Sequence, residues 1–464
     1  MRQPGSGQLL ARQQSIKCCP GNSDSTMQYR RQQERLGEIR QAVDSKALPG
    51  MAQGLPSLGP VEPQPEEQRV TAIQQPKVLP PLQIARKLAA EFAETAAERD
   101  LQGGTPKAQR DALRQSGLLA LAIPRQYGGL GASWCETLEI VREFARVDSS
   151  IAHVYGFQHL MLATVRLFSR PDQWQPWFEQ TARNQWFWGN ALNPLDTRTI
   201  ARRFDGWREF SGRKSFCSGS ADSEMLIASA LDESNGGKLL IAALPSGRSG
   251  ITLHDDWDNM GQRQTDSGNV TFERVRVEEN ELLLDPGPLS TPFACLRPLI
   301  AQLTFVNLFL GIAEGAFAEA RHYTLKETRP WFKSSAAHIG EDPYTLRHFG
   351  EFWVGLESVR LLAERANALL DEAWSKEERL GAEERGRLAV AIATAKVAAS
   401  RVGLELTGRL FEVTGARATH AALRLDRYWR NLRTQTLHDP LDYKLHELGD
   451  WALNGTLPTP TFYS

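Results

Sequence analysis

Trp186-Phe-Trp-Gly-Asn-Ala191 is where the pattern of this 464-residue chain changes. Before it, apolar residues recur every three or four positions, the period of a helix with one buried face; after it they alternate or gather in short β-rich runs. On the N-terminal side Ile84, Leu88, Ala89, Phe92 and Ala96 form a helical stripe, broken by Gly103-Gly104 and Pro106 before a second helix begins. Gly117 to Gly131 is an apolar segment running into a Gly-rich turn. It lacks the Gly-Lys-Ser/Thr of a phosphate loop and the glycine order of a dinucleotide fingerprint, so a tight turn is predicted. Helices are predicted over Glu136–Val147 and Ser149–Phe168. The second opens with His153, Tyr155, Phe157, Gln158 and His159, polar and aromatic groups suited either to a pocket wall or to a satisfied core.

On the C-terminal side, strands are predicted over Trp207–Phe216, Glu224–Leu231, Lys238–Leu244 and Val270–Val277, separated by turn formers at 232–237 and 245–248. After Pro292 the helical period returns, over Leu299–Thr328, Pro343–Trp374, Ala382–Val413 and Leu441–Leu453. The predicted organisation is α+β and mainly α: an N-terminal helical domain (81–185), a middle β-barrel or β-sandwich domain (186–291) and a C-terminal four-helix bundle (292–464). Residues 1–80 are rich in Gln, Arg, Pro, Gly and Ser and hold no period for long. They read as a disordered tail or as the product of a misassigned start, with Met27 and Met51 as alternative starts, and they lack the apolar core of a secretory signal.

A chain of this length is too long for one core. Its formal net charge of -1 provides no positive field for nucleic acid or a polybasic membrane surface. Five cysteines, without Cys-x-x-Cys or His-rich spacing, argue against zinc and for a reducing, cytoplasmic compartment. The longest apolar helix candidate, Leu299–Ala318, carries Gln302, Asn307 and Glu314, so no membrane span is predicted.

The stretch with most chemistry is Arg427-Tyr-Trp-Arg-Asn-Leu-Arg-Thr-Gln-Thr-Leu-His-Asp-Pro-Leu-Asp-Tyr-Lys444. Arg427, Arg430 and Arg433 fall within two helical turns, a place to hold an anion. A His-Asp-Pro corner follows, with Pro440 suited to the first position of a new helix and Asp439 to its N-cap. His438 has no capping role there, and an imidazole near neutrality suits proton transfer or a hydrogen bond to a reactive oxygen species.

In this order the segments resemble the acyl-CoA dehydrogenase superfamily over residues 82–464. The resemblance rests on Pro124-Arg-Gln-Tyr-Gly-Gly-Leu-Gly131, on Met260-Gly-Gln-Arg-Gln-Thr-Asp-Ser-Gly268 running into Val270–Val277, on Arg329 in Glu327-Thr-Arg-Pro330, and on Gly415-Ala-Arg417. Where many members carry a Glu-Gly corner whose carboxylate removes the α-proton of a thioester, this chain has His438-Asp-Pro440. That departure, with Asp255–Gly268, Phe216-Cys-Ser-Gly219, Thr328-Arg-Pro-Trp331, Glu341-Asp-Pro-Tyr344 and Thr436–Pro440, resembles the superfamily's flavin-dependent monooxygenase branch, which holds dibenzothiophene monooxygenase and sulfur-acquisition enzymes.

The resemblance implies a two-component enzyme using FMNH2, in which a flavin C4a-hydroperoxide passes one oxygen of O2 to a small organosulfur compound. FAD is the less favoured cofactor. It implies that His153 and His438 flank the flavin, with Asp439 beside them; that Asn190, Ser218, Arg329 and Arg417 contact the cofactor; and that Phe157 and Trp257 wall the substrate. The chain carries no NAD(P)H fingerprint, so a separate NAD(P)H:flavin reductase is implied, and the superfamily's packing implies a homotetramer. The alternatives are an FAD-dependent acyl-CoA dehydrogenase and a related flavin N-hydroxylase.

Overall fold

The computed structural model describes residues 79–464; the tail expected over 1–80, with Met27 and Met51, lies outside the described residues except for its last two positions. Six helices come first: α1 (Pro81–Ala93), α2 (Ala96–Gln102), α3 (Lys107–Ser116), α4 (Trp134–Ala145), α5 (Ser149–Phe168) and α6 (Pro171–Asn184). Seven strands follow: β1 (Trp188–Ala191), β2 (Ile200–Phe204), β3 (Trp207–Lys214), β4 (Met225–Asp232), β5 (Lys238–Pro245), β6 (Ile251–Leu253) and β7 (Val270–Glu278). Five helices complete the chain: α7 (Leu296–Glu327), α8 (Pro343–Lys376), α9 (Ala382–Thr414), α10 (Asp426–Gln435) and α11 (Leu441–Asn454). The fold is the predicted one, mainly α with a β unit in the middle and the helical bundle after it.

Local signals account for several boundaries. Ser133 and Glu136 form a capping box at the start of α4, the Ser side chain accepting from the Glu136 N–H and the Glu side chain accepting from the Ser133 N–H. The Asp148 side chain accepts from the N–H groups of Ser150 and Ile151 and starts α5. Asp342 caps α8 with Pro343 in its first turn, as that pair predicts. Helix α6 had no clear signal, because Pro176 lies inside it; Trp174 and Phe178, four apart, nonetheless form its buried face.

The strands form one curled mixed sheet in the order β1-β4-β2-β3-β7-β6, with β5 on β4. Strand β4 is its hub, pairing in parallel with β1 (Trp188 opposite Met225) and β2 (Ile200 opposite Leu231) and antiparallel with β5 (Leu226 opposite Leu244). Its side chains alternate: Leu226, Ala228 and Ala230 enter the sheet's own core with Phe210 and Phe272, while Met225 and Ile227 join the helical core. One strand therefore couples the two parts. Helix α7 is long and apolar enough to cross a bilayer, but its apolar window is wholly buried. It is the central rod on which α4, α5, α8 and α9 pack.

Candidate active site

A close approach of two helices builds the site. A Cβ on Gly156 of α5 would lie 2.5 Å from Thr304 Cγ2 of α7, so glycine is what lets the two helices meet there. One turn away His153, only 3 % exposed, stacks on Phe157 with ring centroids 4.2 Å apart and faces Phe305 of α7 at 6.1 Å. Phe305 in turn meets the His438 ring at 4.7 Å. Two histidines 285 positions apart in the chain thus share one phenyl ring.

The corner at 438–440 departs from its local pattern. Pro440 is the N-cap residue, α11 begins at Leu441, and no side chain caps it. Asp439 turns inward instead: its Oδ1 accepts from His438 Nδ1 at 2.9 Å, from Gln302 Nε2 at 3.4 Å and from Lys396 Nζ. The physical reason is the lysine, a buried ammonium on α9 that needs a counter-charge more than an exposed helix start needs a cap. Burial pushes the Asp439 carboxyl up, but the His438 and Lys396 contacts outweigh it and hold it well below the ordinary carboxylate range. Burial lowers Lys396 to about 8 against the pull of Asp439. A carboxylate pinned in this way is a weak base for taking an α-proton from a thioester.

His438 is 36 % exposed at its side chain, so part of its ring is open while its Nδ1 faces the carboxylate. Asp439 can only accept, which puts the proton on Nδ1 and leaves Nε2 as a proton acceptor. Burial by the surrounding walls lowers the His438 pKa, Asp439 raises it, and Lys396 and Arg297 lower it again, for a net decrease. His153 falls to about 3 through burial and the nearby His438, and its Nδ1 has no hydrogen-bond partner. Both imidazoles are neutral at pH 7. The C-terminal residues fold back over this centre. Arg385 donates to the carbonyls of Cys295 (3.4 Å) and Pro458 (3.5 Å) and to Ser464 O, and the Tyr463 ring comes to 5.6 Å from His438.

Asn190 and Ser218 are brought together at the start of the sheet, the Asn190 N–H donating to the Ser218 carbonyl at 2.9 Å. The Ser218 hydroxyl is 2.8 Å from that of Ser267, which is 2.7 Å from that of Thr265. Gly219 packs against Val154, the neighbour of His153 on α5, with 3.8 Å between an added Cβ and Val154 Cγ1. Trp257 donates from Nε1 to the Gln262 carbonyl at 2.7 Å and meets Phe216 edge to face at 5.9 Å. Phe157 belongs to the His153–Phe305 stack, so Phe157 and Trp257 lie in separate aromatic groups.

Arg329 and Arg417 are both exposed. Thr328 Oγ1 donates to the Thr414 carbonyl at 3.3 Å, which ties the end of α7 to the end of α9 and puts the two arginines at the same end of the bundle. Lys396 lies 18 residues earlier on α9, about 27 Å away along the axis. Within one chain, then, this arginine pair stands well apart from the His153–His438 centre. Two arginines of α10 are engaged elsewhere: Arg430 bonds Asp100, Asp426 and the Met260 carbonyl, which fastens α10 to α2 and the 260–268 loop, and Arg427 bonds the Arg424 carbonyl and the Tyr428 hydroxyl. Arg433, the third, makes no side-chain hydrogen bond among the described residues. Tyr155, Gln158 and His159 are core residues, each 1 % exposed or less. Gln158 braces β1 on α5 by donating to the Trp186 carbonyl at 3.0 Å and accepting from the Trp188 N–H at 2.7 Å.

Sequence reasoning missed Lys396, Phe305, Arg297 and Tyr463. For Lys396 a signal existed: it interrupts the apolar stripe Ala389, Ile392, Ala393, Val397, a place where a charge calls for a buried partner.

Comparison with known proteins agrees with this architecture. Residues 82–185 match the acyl-CoA dehydrogenase N-terminal domain and residues 303–443 the acyl-CoA dehydrogenase C-terminal domain. The chain is 77 % identical over 385 residues to a probable FMNH2-dependent monooxygenase, SfnC, of Pseudomonas putida, covering 83 % of this chain and 98 % of that protein. It is 39 % identical to dibenzothiophene monooxygenase of Rhodococcus erythropolis, over 83 % of this chain and 95 % of that one. Among solved structures, methanesulfinate monooxygenase MsuC of Pseudomonas fluorescens is 80 % identical with a TM-score of 0.83, covering 83 % of this chain and all of that one. FMN-bound TdsC of Paenibacillus sp. A11-2 is 42 % identical with a TM-score of 0.79, covering 82 % and 99 %. The chain belongs to the flavin-dependent monooxygenase branch of the acyl-CoA dehydrogenase superfamily.

Proposed function

We propose that this protein is the oxygenase of a two-component system, taking FMNH2 from a separate NAD(P)H:flavin reductase and oxidising a small organosulfur anion of the alkanesulfinate class. The reaction would be RSO2− + O2 + FMNH2 → RSO3− + FMN + H2O, with one oxygen added to sulfur and the other leaving as water. The observation that carries this reading is the pair of neutral imidazoles around Phe305, one of them oriented by the Asp439–Lys396 pair. The identity to relatives named for FMNH2 and for methanesulfinate supports it.

The residues present fit FMN. An unpartnered buried His153 Nδ1, the hydroxyl chain Ser218–Ser267–Thr265 and the Phe216–Trp257 rings supply donors, acceptors and an aromatic wall. Bound FMNH2 supplies two electrons and activates O2. The chain's own part is to keep the site dry, with Phe157, Phe305 and Tyr463 as walls, and to take up and return a proton at His438 Nε2, with the neutral His153 beside it. Asp439 fixes the His438 tautomer. Asn190 and Ser218 serve the cofactor, and Phe157 and Trp257 the substrate side.

Arg329 and Arg417 would bind the flavin phosphate of another copy, which accounts for their distance from the histidines of their own chain. Assembly as a homotetramer is supported by exposed apolar residues on and before α8, among them Trp331 (70 % exposed), Phe332 (77 %), Leu346, Trp353 and Leu361. The cytoplasm is the proposed compartment.

The test is a coupled assay with purified protein, an NADH:FMN reductase, FMN and methanesulfinate. Methanesulfonate should form in step with O2 consumed and with little peroxide. Flavin that is instead bleached anaerobically by butyryl-CoA, without sulfonate formation, would establish dehydrogenase chemistry.

A further inference from the structure

Arg297 sits in the first turn of α7 and is 6 % exposed. Its Nε donates to Thr164 Oγ1 at 3.3 Å. Its two terminal nitrogens make no hydrogen bond, and no carboxylate lies within 4.0 Å of the guanidinium, among the described residues. Three other buried arginines hold most of their donors on oxygens of the chain, although Arg110 leaves its Nε without a hydrogen bond. Arg110 (0 % exposed) bonds Asp266 and the carbonyls of Gly219 and Asp222, Arg99 bonds Asp148, Gln264 and the Phe92 carbonyl, and Arg385 bonds three carbonyls of the chain.

An unpaired buried guanidinium is costly, and a fold retains one where an anion arrives to pair it. The surroundings say which anion. Arg297 is near enough to lower the His438 pKa by its charge, and its charge and the Tyr463 phenol act on each other. It lies two turns before Phe305 on the same face of α7, and two residues from Cys295, whose carbonyl shares Arg385 with Ser464 O beside Tyr463. The rings of Phe305 and Tyr463 stand 4.7 and 5.6 Å from that of His438. The flavin phosphate has its own cations in the exposed pair Arg329 and Arg417.

We propose that Arg297 is the residue that reads the substrate's charge, its planar fork taking the two oxygens of a small sulfinate while the sulfur lone pair stays turned to the oxidising centre. Guanidinium matches a two-oxygen anion bidentately, as it does a carboxylate. A neutral sulfone or thiophene presents no charge to it. Arg297 thereby sets the preference for anions over neutral sulfur compounds. This inference rests on the alkanesulfinate reading above.

The test compares wild type, Arg297→Met and Arg297→Lys for methanesulfinate turnover at saturating FMNH2, with dimethyl sulfone as the neutral comparison substrate. FMN binding is measured separately by fluorescence quenching, and folding by thermal unfolding. For Arg297→Met the KM for methanesulfinate should rise about 10- to 100-fold, the worth of a charge-assisted hydrogen-bonded pair, with FMN affinity unchanged. Arg297→Lys keeps a positive charge and breaks the fork; its selectivity for methanesulfinate over dimethyl sulfone should fall without loss of folding. Unchanged KM and selectivity in the lysine variant would overturn the assignment, as would FMN affinity falling by the same factor as substrate affinity, which would make Arg297 a cofactor ligand. If wild type itself rejects methanesulfinate, the substrate reading and this inference fail together; if wild type accepts it and the variants match wild type, this inference alone fails.

Discussion

Replacing either member of the Lys396–Asp439 pair should damage the protein far more than replacing both. The side chains are 2 % and 9 % exposed, so each single change strands the other charge in the interior. Removal of one partner of a buried pair costs about 3–5 kcal/mol, whereas an apolar or neutral replacement of both is close to neutral. Lys396→Met should lie at the lower end, because Asp439 keeps His438 and Gln302 as donors. Asp439→Asn leaves the ammonium without a counter-charge, with neutral acceptors such as Gln302 Oε1 in its place. With about 3 kcal/mol or more for each single change and close to zero for both, the coupling energy from the double-mutant cycle should be about 6 kcal/mol or more in magnitude. Urea unfolding of the flavin-free protein, followed by circular dichroism at pH 7.5, measures all three variants. The Asp439→Asn penalty should also shrink as pH rises toward 9. Lys396 is already lowered to about 8 with its counter-ion present; without it the folded pKa drops further below the unfolded 10.5. Across that interval the unfolded chain binds more protons, so stability grows with pH. Penalties that add to within about 0.5 kcal/mol would refute the claim that the two groups act as one buried unit.

Acid should destabilise the helical core in a defined window. Burial lowers both His153 and His159 from 6.5 to about 3, so below pH 6.5 the unfolded chain takes up protons that the folded chain refuses. Stability is then lost as pH falls from 6.5 toward 3, by about 2 kcal/mol for each histidine between pH 7 and 5; His159→Gln should flatten the profile, and a parallel profile would count against burial as the cause. Gly315→Ala should cost about 1–3 kcal/mol, because its Cβ would come 2.0 Å from the Arg146 carbonyl oxygen. Gly350→Ala on α8, where a Cβ meets nothing within 4 Å, should instead stabilise by up to about 1 kcal/mol, and denaturant midpoints distinguish the two. His438→Ala should bind FMN like wild type yet release peroxide in place of product, read as the ratio of sulfonate to O2 consumed; wild-type coupling would remove His438 from the chemistry.

What could be read from the sequence was what depends on near neighbours. The change of period at Trp186–Ala191 marked the entry to the sheet, and the Asp342-Pro343 pair marked the start of a long helix. Strands β2 and β6 escaped because Ile200–Phe204 carries two arginines and Ile251–Leu253 spans three residues, too short for alternation to register. The site was legible in its parts and not in its wiring. His153 and His438 stand out as residue types, but Phe305 joins them only because Gly156 and Thr304 let two helices touch. Asp439 followed by Pro440 is a sound cap pattern by local rules; a lysine 43 positions earlier overrode it. Arg297 is one charge ahead of a long apolar run, and its lack of a partner is a property of the folded chain alone.

The central claim is oxygen transfer from O2 at this site, and isotope labelling tests it most directly. Purified protein, reductase-supplied FMNH2 and methanesulfinate are incubated under 18O2 and the product is analysed by mass spectrometry. The account predicts methanesulfonate carrying a single 18O atom, formed in proportion to the enzyme and lost in His438→Ala. Sulfonate whose added oxygen comes from water, or product that forms equally well from the peroxide released by free FMNH2, would contradict it.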